Sequence, residues 1–382
     1  MTLSELLASE ELRRHEFPVV RERVFLAHAG VCPLPHRVAE AMRTYLAQCT
    51  HGDQEADLAR LLHQTRGLAA QLLHAQPDEI AFVGPTSLAL SFVASGLTFR
   101  KHEHVLVYFD DYPSNVYPWM ALAERGVEVR FLNVRELGRI RPLDVLGQVD
   151  ENTRLVALAS AHFVAGYRVD LAALGQALHA RNIQFCVDGI QTLGAFPTTV
   201  KHVDFLAADA HKWLLGPCAA GILFVRERQQ PFLRPVVHGW NNVHCPNFTA
   251  QEKIAFHTGA RRYEAGTHNI AGLAGLHAAL ELILELGVET IAAELRRKRD
   301  WFVPALQAKG YTVLHATAPP ESTSGITSIH RGAEDMTPLH QRLTGADIIT
   351  SLRADRAGRK YIRFSPHFYN TDEELYRALK LL

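Results

Sequence analysis

The residue of this chain with the most chemistry to offer is a lysine behind an apolar strand. Lys212 follows DFLAAD (204–209) and precedes WLLGP (213–217). Desolvation disfavours an ammonium ion, so an amine in apolar surroundings has a lowered pKa, and the neutral amine can form a Schiff base. The plain alternative is a lysine that snorkels to water at a strand end. Asp188 closes IQFCVD (183–188). It suits a buried acceptor for a cationic ring nitrogen, or a cap on the next turn. Thr86 and Ser87 follow EIAFVGP at the head of an apolar helical segment. Their hydroxyls and the backbone N–H groups there suit a phosphate, or simple capping. Together the three features are the set that pyridoxal phosphate requires: an amine for the imine, a carboxylate that keeps the pyridine N1 protonated, and a helix start for the phosphate.

Such groups need a scaffold that gathers strand ends. From about residue 79, short apolar runs alternate with helical periodicity: EIAFVG, HVLVYF, VEVRFLNV, RLVALAS, IQFCVD, DFLAAD and GILFVR read as strands. PTSLALSFVASGL, PWMALAERG and DLAALGQALHARN read as helices between them. This is the signature of βαβ units and a mostly parallel sheet, with ligands expected at the carboxyl ends of the strands. Residues 36–50 and 54–75 have helical apolar spacing, and residues 1–20 read as one short helix. AGLAGLHAALELILELG begins a tail of mixed helix and strand signals. The spacing predicts an α/β protein with a large domain over 21–270. A smaller α+β domain is expected from 1–20 and 271–382, with the change of pattern near 268–275.

The chain resembles the class V aminotransferase superfamily of fold-type I enzymes, which includes cysteine desulfurases, selenocysteine lyases, kynureninases and isopenicillin N epimerase. The resemblance runs from FLAHAG (25–30) to SPHFYNTDEEL (365–375) and rests on VDGIQTLGAFP (187–197), DFLAADAHKWLLGP (204–217), YEAGTHN (263–269) and IRFSPHFYNT (362–371). It implies pyridoxal 5'-phosphate held on Lys212, with Asp188 at N1 and Gln191 on the phenolic oxygen. Tyr112 would stack on the ring, and Thr86, Ser87 and His211 would contact the phosphate. Thr267 would reach the phosphate of a neighbouring subunit, which implies a homodimer with shared sites. Arg363 would clamp the carboxylate of an amino acid substrate, with Arg353 assisting. The chain departs from the pattern at Asp209, where desulfurases carry a phosphate-binding serine, and at His28, where many relatives have asparagine. SAHFVAG (160–166) matches a substrate-side loop loosely, which leaves Ser160 and His162 as weak candidates.

Desulfurases take sulfur on a mobile cysteine ahead of the arginine clamp. Here Cys32, Cys49, Cys186, Cys218 and Cys245 all precede that region. The expectation is therefore no persulfide-type desulfurase activity, with transamination, elimination and epimerisation open. The ending of the chain looks closest to the epimerase and lyase branch. The 21 histidines raise a metal-dependent hydrolase as an alternative, but they are scattered and no H-E-x-x-H occurs. A non-catalytic binding protein on the same fold is a further alternative, disfavoured by the presence of both Lys212 and Asp188. Forty basic and forty acidic residues give a formal net charge of +0. That balance carries no footprint for nucleic acid and no polybasic membrane anchor. MTLSELLASEELRRHEF reads as no signal peptide and no apolar run reaches a membrane-spanning length, so a cytoplasmic location is expected.

Overall fold

The computed structural model describes residues 1–382. Strands β1 (Ile80–Val83), β2 (His104–Val107), β3 (Glu128–Phe131), β4 (Thr153–Ala159), β5 (Gln184–Asp188), β6 (Phe205–Ala208) and β7 (Gly221–Val225) form one sheet in the order β1-β7-β6-β5-β4-β2-β3. From β3 to β6 all neighbours are parallel, and β7 is antiparallel to both β6 and β1. Six strands therefore end on the same side, and the segments after β1, β2, β5 and β6 converge there. Strands β2, β5, β6 and β7 are buried along their whole length. Both faces of the sheet are covered, which explains why these runs are almost continuously apolar.

Helices α1 (His36–Cys49), α2 (Leu58–Leu73), α3 (Thr86–Gly96), α4 (Leu171–His179), α5 (Ile270–Leu286) and α6 (Val288–Ala308) lie around this sheet. Helices α1 and α2 pack on α5. The apolar face of α5, including Leu273, Leu276, Leu280 and Ile283, shares one hydrophobic cluster with the large sheet. Helix α6 starts in that cluster at Val288, Ile291 and Leu295. It ends at Phe302, Val303 and Leu306 in a second cluster with Ile329, Ile362, Phe364 and Leu375. The second cluster backs an antiparallel sheet of β8 (Thr312–Val313), β9 (Thr327–His330), β10 (Ser351–Ala354) and β11 (Lys360–Phe364), ordered β10-β11-β9-β8. Val24–Phe25 pairs in parallel with Ile348–Ile349, which carries the segment after residue 25 to the rim of both sheets. No single helix is long and apolar enough to cross a membrane.

Two local expectations are corrected. PWMALAERG is not one helix. A four-residue α turn (Tyr117–Met120) passes into a 3-10 stretch (Ala121–Arg125) that Gly126 ends at φ 76°. Arg125 turns back to the carbonyls of Ser95 and Leu97 at 3.1 and 2.9 Å. Satisfying the orphan end of α3 holds this connection short. Residues 1–20 form two helices, Leu3–Ala8 and Glu10–Glu16. Ser9 closes the first and its Oγ accepts from Leu12 N at 3.2 Å to cap the second.

The second short helix is tied to the C-terminal segment. Buried Arg13 donates to Glu374 Oε1 at 2.7 Å, and Phe17 stacks on Tyr369 at 4.0 Å. Glu374 also accepts from Asn370 Nδ2 at 2.8 Å, so it keeps a partner if Arg13 is lost. Arg13→Ala is therefore expected to lower stability by about 3 kcal/mol, the lower end for breaking a buried pair. Exposed Arg14→Ala should cost under ~0.5 kcal/mol. Denaturant midpoints check the contrast, and equal midpoints would disprove the anchoring role.

Candidate active site

Thr86, Ser87, Tyr112, Asp188, Gln191, His211, Lys212, Arg353 and Arg363 line one cavity of about 310 Å³, together with Gly30, Val31, Ser114 and Phe163 among others. The parallel strands bring the first seven together from four strand ends, and β10 and β11 contribute the two arginines from the other sheet. Thr267 stands apart. It lines a separate cleft of about 450 Å³ with Gly84, Leu88, Tyr263 and Ala265.

Lys212 is buried, with Nζ 5.2 Å from the centroid of the Tyr112 ring. Burial pushes its ammonium well below the ordinary lysine range, Asp188 opposes the shift, and Arg363 and Arg353 add to it. Asp188 is raised instead, first by burial and then by the charge of Asp111. Its Oδ1 accepts from Ile190 N at 3.0 Å, and Oδ2 has no hydrogen bond within the chain. A carboxylate held this way is stabilised by a cation placed against it. Gln191 is fixed on both sides. Its Nε2 donates to Ala29 O at 3.2 Å and its Oε1 accepts from Trp213 Nε1 at 2.9 Å. With the oxygen taken by the indole, the second amide proton is the one left for the cavity.

The start of α3 supplies uncapped donors. Pro85 occupies the N-cap position and no side chain caps the first turn. The capping alternative for Thr86 and Ser87 therefore does not hold, because both already lie inside the helix. Thr86 Oγ1 instead accepts from Asp209 N at 2.9 Å, which docks the loop after β6 on the helix start. Free first-turn N–H groups beside hydroxyls make an anion site.

Asp209 explains its own departure from the family pattern. It is buried and accepts from the backbone N–H groups of Ala210, Ala219 and Ala220 at 2.8, 3.0 and 3.1 Å. His211 Nδ1 lies 2.7 Å from its Oδ2. An ionised carboxylate only accepts, so Nδ1 carries the proton and Nε2 is the nitrogen left to the cavity. Asp209 thus faces away from the cavity and braces the loop that carries Lys212.

Sequence reasoning left Asp111, at the mouth of the HVLVYF strand, without a role. Buried in the turn that follows β2, it accepts from Tyr112 N at 2.7 Å, Asn115 Nδ2 at 3.0 Å and Ala159 N at 3.1 Å. It fixes the turn that presents Tyr112, and burial pushes its carboxyl up to about 6. The signal available was the DDYPSN turn at a strand end, where an Asx-type turn is expected. Ser160 and His162 lie outside the cavity. Ser160 Oγ accepts from Thr192 Oγ1 at 2.8 Å. His162 Nε2 donates to Asp110 O at 2.9 Å, and its Nδ1 accepts from Ala165 N at 2.9 Å. Burial pushes this imidazole down to about 4, so it is a neutral packed side chain. His28 is also fully buried, 2.7 Å from the Tyr369 hydroxyl and 2.9 Å from Ser365 O. No group of three or more His, Cys, Asp or Glu side chains converges as a metal site would require.

Arg363 enters the cavity from β11. It is buried, and donates through Nη1 to Phe163 O at 2.7 Å and through Nη2 to Ser351 Oγ at 3.2 Å. Its Nε is buried and has no partner. A fully buried guanidinium without a carboxylate is costly unless an anionic ligand completes it. Desolvation lowers its pKa to about 9, and the charge of Arg353 adds to the shift.

A family model described as aminotransferase class-V matches residues 24–377. The chain belongs to this family. As a class-V aminotransferase family member it is a pyridoxal-phosphate-dependent enzyme. It is 28% identical to a probable cysteine desulfurase of Methanothermobacter thermautotrophicus, over 97% of this chain and 96% of that protein. Its fold matches the apo structure of a cysteine desulfurase from Thermococcus onnurineus with a TM-score of 0.89 at 22% identity, covering 97% and 96% of the two chains. It also matches the cystine C-S lyase C-DES in complex with its product cysteine persulfide. There the TM-score is 0.87 at 23% identity, over 96% and 98% of the chains. The residues lining the cavity fit this family's cofactor: a buried amine, a raised carboxyl without a cation, an uncapped helix start and a guanidinium without an anion.

Proposed function

We propose that this family member is an amino-acid lyase of the C–S-cleaving type that stores no sulfur on a cysteine of its own. Lys212 would hold the cofactor, Asp188 its ring nitrogen, Gln191 its phenolic oxygen and Tyr112 its face, with Thr86, Ser87 and His211 on the phosphate. Bound there, the cofactor supplies an electron sink for charge developing at the substrate Cα. Arg363 holds the α-carboxylate in a charge-assisted pair. The Lys212 amine, freed when the substrate's amino group takes its place on the cofactor and disfavoured as an ammonium by burial, would take the α-proton. As that proton leaves Cα for Nζ, the Cβ–S bond breaks and its electron pair departs with sulfur. Water then completes the conversion of the three-carbon remainder to a 2-oxo acid and ammonia.

The observation that carries this reading is that the cavity holding Lys212 and Arg363 has no cysteine in its lining. Cys32 is the cysteine nearest in sequence to lining residues Gly30 and Val31, and burial pushes its thiol up to about 12. At neutral pH it offers no thiolate to take sulfur. The names carried by the desulfurase relatives support sulfur chemistry in general. Cysteine and cystine are therefore expected to give pyruvate and ammonia in equal amounts, with sulfur released to solution. Alanine as the product, with a persulfide on one of the five cysteines by mass spectrometry, would overturn this reading.

Thr267 we assign to a second copy of the chain. Asn241 Nδ2 donates at 3.1 Å to Glu264 O in the lining of its cleft, which sets exposed Trp240 and Phe248, 5.6 Å apart ring to ring, next to this cleft. A twofold partner there would bury these side chains and bring Thr267 to the other cavity.

A further inference from the structure

The cavity has one guanidinium more than an ordinary amino acid can use. Its lining holds Lys212, Arg353 and Arg363 against a single carboxylate, Asp188. On the functional reading above, Lys212 is committed to the cofactor, Asp188 to the ring nitrogen, and the uncapped start of α3 with His211 to the phosphate. Arg363 takes the α-carboxylate. Arg353 is left over.

Its surroundings give it no other employment. The only hydrogen bond Arg353 makes within the chain is Nη1 to Leu352 O at 3.1 Å, the carbonyl of its own neighbour. The nearest carboxylate in sequence, Asp355, is already engaged: Oδ2 accepts from Tyr361 Oη at 2.7 Å and Oδ1 from Arg359 N at 2.9 Å. The register of the small sheet decides where Arg353 stands. Ser351 pairs directly with Arg363, and Arg353 pairs with Tyr361. Ser351 and Arg353 are two residues apart on one strand, so Arg353 and Arg363 project from the same face as diagonal neighbours, with Cα atoms ~7–8 Å apart. Arg363 is buried at the inner position and Arg353 is half-buried at the outer one. Both lower the pKa of Lys212, which places their charges in the same electrostatic reach of the reacting amine.

We propose that Arg353 is a specificity-determining residue that binds a second anionic group, the side-chain acid of a dicarboxylic or otherwise acidic amino acid, rather than sharing the α-carboxylate with Arg363. The inner guanidinium reads what all amino acids have in common. The outer one reads the end of the side chain. A neutral side chain would leave the outer cation solvated and unpaired, at little cost to binding. An acidic one would gain a charge-assisted pair in partly desolvated surroundings. The preference is for charge, so an isosteric amide should not reproduce it.

The test is binding to the holoenzyme, read as the change in cofactor absorbance on titration, which needs no turnover. Aspartate against asparagine and glutamate against glutamine are the matched pairs, and alanine reports the α-carboxylate alone. In at least one pair the acid should bind about tenfold or more tightly than its amide, the range of a charge-assisted hydrogen bond. Arg353→Gln should bring that ratio to within about twofold and weaken the acids far more than alanine, and Arg353→Lys should keep part of the preference. The cofactor spectrum of each variant shows whether the cavity is intact. Equal affinities for acid and amide in both pairs in the native enzyme would overturn the proposal. So would an Arg353→Gln variant that loses alanine as steeply as the acids, because Arg353 would then serve the α-carboxylate. If no amino acid, alanine included, perturbs the spectrum, the amino-acid reading itself fails. That result is distinct from either of the others.

Discussion

Lys212→Ala is expected to lower turnover at least ~10²- to 10⁴-fold, the range for a positioned general acid–base group, and here the residue also anchors the cofactor. Loss of activity alone would not establish the role, because any change in a packed site can reduce a rate. The discriminating readouts are chemical. Borohydride should fix cofactor mass on residue 212 of the native protein and none on the variant. The variant should still retain cofactor against gel filtration through Asp188, Gln191 and the start of α3, though less tightly. A small primary amine in the buffer should restore part of the lost rate, because it can replace the missing nitrogen in the space the side chain vacates. An alanine variant with native turnover would remove Lys212 from the chemistry altogether.

The lowered pKa of Lys212 gives the same residue a pH signature. Only the neutral amine adds to an aldehyde. Lys212 is pushed below the ordinary lysine range, chiefly by burial. Cofactor uptake by the apo-protein should therefore accelerate as pH rises. It should level off well below the ~10.4 of a free lysine. Asp188 pulls the other way, since its carboxylate stabilises the ammonium. Removing that charge in Asp188→Asn should move the plateau to still lower pH. The direction is the test: a plateau moved upward would mean that Asp188 does not act on Lys212 electrostatically.

Much of this arrangement is legible in the sequence, for reasons that can be named. Buried parallel strands announce themselves as unbroken apolar runs, so IQFCVD and DFLAAD mark their own ends. In such a sheet, residues just beyond the carboxyl end of a strand sit on the ligand side. Lys212, Asp188 and Thr86 are therefore readable from position as well as from family resemblance. Local backbone choices are less legible. The helix expected over PWMALAERG gives way to a tighter turn because Arg125 closes the carbonyl end of α3, a contact across about thirty residues that no local window contains. The helix expected over residues 1–20 breaks at Ser9 because a serine offers the backbone a competing partner. Asp209 shows the converse. Its type alone counts against a place beside a phosphate. Only the positions of Ala210, Ala219 and Ala220 reveal that its charge is spent on backbone N–H groups. The pairing of Arg353 and Arg363 on one sheet face depends on a register that the two sequence segments do not state.

Arg363→Gln is the second large effect, and the burial of Arg363 sets its size. The side chain is almost wholly excluded from water, and its Nε has no partner within the chain. An α-carboxylate placed there trades hydration for a charge-assisted contact in a low-dielectric pocket. Truncating one member of such a pair typically costs ~2–5 kcal/mol, because the other charge is left desolvated. A fall in kcat/KM of about 10²- to 10³-fold is expected for any amino acid substrate, corresponding to ~3–4 kcal/mol. Arg363 also holds Phe163 O and Ser351 Oγ, so part of the loss could come from a disturbed loop. Two comparisons separate the causes. Amine analogues without a carboxylate should bind the variant as they bind the native enzyme, judged by the cofactor absorbance change. Arg363→Lys keeps the charge but loses the planar fork, and should fall between the two. If the carboxylate-free amines weaken in parallel with the amino acids, residue 363 shapes the cavity and does not read the carboxylate. If kcat/KM is unchanged, the clamp lies elsewhere, and Arg353 becomes the guanidinium to examine for that role.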